Sequence, residues 1–132
     1  MYSWSIKILL LVILIAPNVL SQGGKAEPKR IAIAKGRSTA TASGTLSNGQ
    51  EMDHVFWAAA GQTVRLKVTS KPRGSLFDFR IIGDGFEFVT DHDRYSEYEF
   101  TARESGDYLV FVRKRPTVNV KRASFSLTLT VK

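Results

Sequence analysis

The residues that could do chemistry are few and far apart. The chain has two histidines, His54 and His92, and no cysteine. Asp91-His92-Asp93 invites a metal, but on a strand only positions 91 and 93 share a face, and zinc sites recruit several His or Cys side chains. A solvated loop is the plainer reading. Glu97 and Glu99 could form an acid–base pair, yet they alternate with Tyr98 and Phe100, which puts both carboxylates on the hydrated face of a strand. Serines abound, but none sits in a G-x-S-x-G elbow with a positioned base. The sequence predicts no catalytic site, no metal and no cofactor, so the protein is not expected to be an enzyme.

The elements that position these residues are strands. Ile31 and Ile33 alternate with small residues and suggest a first strand ending at Gly36. Ser38 to Ser43 alternates too and stops at Gly44. Leu46-Ser47-Asn48-Gly49 is a turn, Asn-Gly being the strongest short hairpin signal. His54 to Ala58 is the next strand, with two registers open: His54, Phe56 and Ala58 inward, or Val55, Trp57 and Ala59 inward. Thr63 to Ser70 sends Val64, Leu66 and Val68 inward. After the Lys71-Pro72-Arg73-Gly74 turn, Phe77, Phe79 and Ile81 point inward. Phe86 to Val89 reads as a short strand, Thr90 to Arg94 as polar loop, and Ser124 to Val131 as the clearest strand, with Phe125, Leu127, Leu129 and Val131 inward. No stretch holds helical periodicity. About eight short strands with Gly turns predict an all-β fold, a single antiparallel β-sandwich.

Residues 1–21 read as a secretory signal peptide: Lys7, then the apolar run Ile8 to Ala16, then Val19-Leu20-Ser21 as a cleavage site. An uncleaved anchor and cleavage after Ala26 are the competing readings. The apolar run is too short to span a bilayer, so no stable membrane insertion is expected after cleavage. Removing the first 21 of 132 residues leaves 111, one domain. Residues 22–30 read as a flexible polar leader and 31–132 as the sandwich. An exported chain without disulfides holds together by packing alone, and a periplasm suits it. The formal charge is +7, or +6 once Lys7 is lost. These charges, Arg113, Lys114 and Arg115 among them, are scattered and lack interleaved aromatic platforms, so they read as solvated surface and nucleic acid is not an expected partner.

The chain is organised around Glu104-Ser105-Gly106-Asp107-Tyr108-Leu109-Val110-Phe111-Val112. Ser-Gly-Asp signals a turn, and the strand after it is apolar on both faces, which belongs in the middle of a sheet. Together with Gly44-Thr45-Leu46, Phe56-Trp57-Ala58-Ala59-Ala60-Gly61-Gln62-Thr63-Val64 and Phe125-Ser126-Leu127-Thr128-Leu129, this stretch resembles the periplasmic lysozyme inhibitors. It is closest to those of g-type lysozyme, with the i-type inhibitors as relatives, and the resemblance runs from about Ile31 to the C-terminus.

The resemblance implies a small exported β-sandwich whose partner is a lysozyme. In i-type inhibitors a Ser-Gly-x-Tyr loop enters the substrate cleft; here Ser105, Gly106 and Tyr108 match it, with Asp107 between. An adjoining loop, Asp91 to Tyr95, and a basic loop echoed by Arg113 and Arg115 complete the implied contact set: Ser105, Gly106, Asp107, Tyr108, Asp91, Asp93, Tyr95, Arg113 and Arg115. Tyr108 also has the parity of Val110 and Val112, so strand pattern alone puts its ring in the core. A basic inhibitor meeting a basic lysozyme needs acidic residues such as Asp91, Asp93, Glu104 and Asp107 at the contact. The alternative is a non-catalytic module for envelope or carbohydrate polymers, resembling pre-peptidase C-terminal domains and using an outward Trp57. Homodimerisation is left open.

Overall fold

A computed structural model describes residues 27–85 and 95–132; the signal peptide, the Phe86–Val89 strand, Asp91 and Asp93 lie outside the described residues. Those described form eight strands and no helix: β1 (Lys29–Arg30), β2 (Thr39–Ser47), β3 (Glu51–Ala58), β4 (Thr63–Lys71), β5 (Phe77–Gly83), β6 (Glu97–Thr101), β7 (Gly106–Lys114) and β8 (Arg122–Val131). Odd strands build one sheet, ordered β1-β3-β7-β5, and even strands the other, β2-β8-β4-β6. Every connection therefore crosses from one layer to the other, and each turn ties the two sheets at an end of the sandwich.

Side-chain alternation drives this architecture. In β4, Val64, Leu66 and Val68 are buried while Arg65, Lys67 and Thr69 are exposed. In β8, Phe125, Leu127, Leu129 and Val131 face them across the core, joined from the other layer by Phe56, Phe77, Phe79, Ile81, Val110 and Val112. Burying each such side chain contributes about 1.5–3 kcal/mol, enough in sum to replace the missing disulfides. The His54 register is settled with His54, Phe56 and Ala58 inward and Trp57 outward, 54% exposed.

Three expectations change. The first strand is Lys29–Arg30, not Ile31 to Gly36; it ends the stretch read as leader, and it pairs parallel with β3, through Lys29 opposite His54 and Arg30 opposite Val55. All other pairings between these strands are antiparallel. Second, β2 does not stop at Gly44 but runs through it to Ser47. Glycine is there because an added Cβ would lie 2.9 Å from both the Met52 sulfur and Phe125 Cε1. Third, Lys114 is a core position: fully buried, its ammonium donates to Asn48 Oδ1 (2.8 Å), Arg115 O (2.6 Å) and Thr117 Oγ1 (3.2 Å). Three donors meet three neutral acceptors, and burial lowers the lysine's pKa.

Candidate functional site

The turn before β7 is held from both sides. Ser105 Oγ accepts the Ala60 backbone N–H at 2.8 Å, which joins it to the β3–β4 turn. Two backbone bonds reinforce that junction, Gly61 N–H to Ala102 O and Ala102 N–H to Gln62 O, both 2.8 Å. From below, the Tyr108 hydroxyl donates to Glu104 O at 2.8 Å. The Tyr108 ring is 1% exposed and stacks on its cross-strand partner Phe56, with centroids 5.4 Å apart. Burial raises the phenol's pKa, so it stays a neutral donor. Gly106 opens β7 with φ 159°, close to extended, so the bend itself is made by the residues before it.

Beside this turn lies a surface that sequence reasoning missed in part. Trp57 sits opposite Asp107 in the β3–β7 ladder. Asp107 receives both terminal guanidinium nitrogens of Arg30, at 3.0 and 2.8 Å. This two-pronged contact lowers the Asp107 pKa and raises that of Arg30. Arg30, Arg37, Ile33, Trp57 and Gln62 border a shallow groove at the same end. Arg30 ends a polar run, and nothing in the sequence signals that a two-residue parallel strand carries it there.

Of the implied contact residues, Ser105, Gly106 and Asp107 come together. Tyr108 is their support, inside the core, not a surface group. Arg113 and Arg115 belong to the opposite end of β7, where Arg113 Nη2 is 3.0 Å and Arg115 Nε 3.9 Å from Asp78 Oδ2. Along the extended strand β7, Asp107 and Arg113, the nearest members of the two groups, stand roughly 20 Å apart at about 3.4 Å per residue. Tyr95 bridges Phe79 at the β5 edge, its ring 4.6 Å from Tyr98. Among the described residues no cluster of three His, Cys, Asp or Glu side chains could hold a metal.

No protein-family model matches the chain, and no curated protein does. Solved structures do. Aeromonas hydrophila PliG, a periplasmic lysozyme inhibitor of g-type lysozyme, is similar at a TM-score of 0.64 and 20% identity, over 80% of this chain and 96% of that one. Salmonella Typhimurium PliG follows at 0.62 and 24%, over 82% of this chain and all of that one (100%). The pre-peptidase C-terminal domain of a Bacillus anthracis collagenase gives 0.58 and 18%, over 83% and 98%. At these identities the likeness is one of fold: this chain shares the sandwich of both groups.

Proposed function

We propose that the protein is an exported, periplasmic inhibitor of lysozyme, g-type foremost, that works by occlusion and catalyses nothing. The observation that carries this reading is the braced turn at Ser105 to Asp107. Filling an enzyme's cleft requires a projecting element that is ordered before binding, because ordering it afterwards subtracts from affinity. Here hydrogen bonds from two neighbouring segments fix the turn, and the groups beside it are an exposed tryptophan and an arginine, residue types that dominate binding hot spots. In a chain of charge +7, Arg30 and Asp107 offset each other's charge beside the turn. The structural likeness to the PliG proteins, periplasmic inhibitors of g-type lysozyme, supports the same reading.

A second reading rests on the exposure of Trp57: an envelope-binding module that stacks a sugar ring on the indole. One assay separates the two. The protein is titrated against g-, i- and c-type lysozymes acting on bacterial cell walls, with binding to isolated peptidoglycan measured in parallel. Stoichiometric inhibition of the g-type enzyme without glycan binding supports the inhibitor. Glycan binding with no inhibition of any lysozyme replaces it with the module.

A further inference from the structure

Four strands bound the two sheets, and three of those edges are blunted. β1 is two residues long. β5 is covered by Tyr95, which exchanges backbone hydrogen bonds with Phe79 at 2.8 and 3.0 Å. β6 is short and carries Glu97 and Glu99. These are the devices that keep sheet edges from pairing with other chains. β2 has none of them. It is nine residues long, contains no proline, and keeps an unbroken register with β8 from Thr39 opposite Thr130 to Ser47 opposite Arg122. Residues 38–50 carry no charge at all.

The ladder says which groups are unpaired. Val131 donates to Ser38 O, so 38 and 131 are a hydrogen-bonded pair, and in an antiparallel ladder such pairs alternate. Ala40, Ala42, Gly44 and Leu46 therefore bond to β8, while Thr39, Thr41, Ser43, Thr45 and Ser47 turn their N–H and C=O away from the sheet. Ser47 is spent: its N–H goes to Gln50 Oε1 at 2.8 Å and its carbonyl to the Gln50 N–H at 3.0 Å. The open residues are Thr39, Thr41, Ser43 and Thr45, and they are symmetric about Ala42.

We infer that β2 is a homodimer edge, pairing antiparallel with β2 of a second copy about a two-fold axis at Ala42. In that register Thr39 meets Thr45 of the other copy and Thr41 meets Ser43, so every open N–H and C=O finds a partner. Hydroxyl side chains lie opposite hydroxyls on the outer face, and Ala40, Ala42 and Gly44 face small residues on the inner one. The two even-strand sheets become one continuous sheet. A second copy is the occupant because the strand is complementary to itself, and because its neutrality lets two basic chains approach where neither carries charge.

Sedimentation velocity over a concentration series, up to millimolar, tests this. The expected result is a monomer–dimer equilibrium that stops at the dimer. Thr41→Pro removes an N–H that points away from β8, so it should abolish the dimer and leave the thermal melt in place. Two charge variants cover the case in which the proline variant fails to fold. Thr41→Lys with Ser43→Lys sets like charges opposite one another and should give monomers, whereas Thr41→Lys with Ser43→Glu sets opposite charges there and should restore the dimer. A strictly monomeric wild type, a dimer indifferent to both sets of variants, or growth beyond the dimer would each overturn the inference.

Discussion

Ser105 Oγ accepts the Ala60 N–H at 2.8 Å across two turns that are 45 residues apart in sequence. Both residues are exposed, so water can replace the bond at little cost to the fold, about 0.5–1.5 kcal/mol at most. What the bond does is hold the turn in place. Ser105→Ala should lower the melting temperature only slightly while weakening lysozyme inhibition several-fold, and Ser105→Thr should recover most of the loss. Equal inhibition by the alanine variant would take this turn out of the contact.

Tyr108→Phe acts on the same turn from inside. It removes the hydroxyl that donates to Glu104 O but keeps the ring stacked on Phe56. A cost of about 1 kcal/mol in denaturant unfolding is expected, with faster amide exchange at residues 103–106. Because both hydroxyls brace one turn, combining this change with Ser105→Ala should affect inhibition by more or less than the sum of the single effects. Strict additivity in a double-mutant cycle would mean the two hydroxyls act independently.

Trp57→Ala tests which partner the exposed indole serves. The side chain is more than half exposed, so stability should barely change. As an interface anchor its loss should cost about 2 kcal/mol or more, roughly thirty-fold in dissociation constant. Calorimetry with g-type lysozyme reads this directly. A variant that inhibits normally but no longer retains peptidoglycan would assign Trp57 to a sugar instead.

Gly44→Ala probes the core behind β2. The new methyl group would sit 2.9 Å from both Met52 Sδ and Phe125 Cε1. Met52 is a flexible chain that can move; Phe125 is 2% exposed and packed against Phe77 and His54. Overpacking of this kind costs about 1–3 kcal/mol, seen as a lower denaturation midpoint with an unchanged slope. Adding Met52→Ala should return part of it, and a full wild-type midpoint for Gly44→Ala alone would show that the site is looser than these distances indicate.

The sequence made the long strands legible because β4, β5 and β8 each carry an apolar side chain at every second residue, a pattern only a half-buried strand produces. Gly44 misled because the sequence cannot distinguish a glycine that ends a strand from one that leaves room for Met52 and Phe125. β1 was invisible: Lys29 and Arg30 are exposed and are held through backbone pairing, which leaves no mark in side-chain pattern. The site was half legible. Ser105, Gly106 and Asp107 are neighbours in sequence and in space, but the resemblance also implied Arg113 and Arg115 through its basic loop, and an extended strand carries those to the far end. The alternation that buries Val110 and Val112 also buries Tyr108, so pattern was the better guide to that residue than the matched loop motif.

His54 gives the fold a pH dependence. It is 1% exposed, edge-on to the Phe125 ring at 5.9 Å, and neither ring nitrogen has a hydrogen-bond partner among the described residues. Burial, helped by Lys29 across the β1–β3 pair, holds its pKa below the ordinary 6.5, against weaker opposing pulls from the Met52 backbone and Asp53. The folded protein thus binds a proton less readily than the unfolded chain does. Stability from this residue is full above about pH 6.5 and is lost as pH falls through that value, because the unfolded state then takes up protons that the native state refuses. Thermal melts between about pH 7.5 and pH 5.5, above the range where carboxylates titrate, should show a falling midpoint for the wild type and a flatter profile for His54→Leu. Parallel profiles for the two proteins would place the titrating group elsewhere.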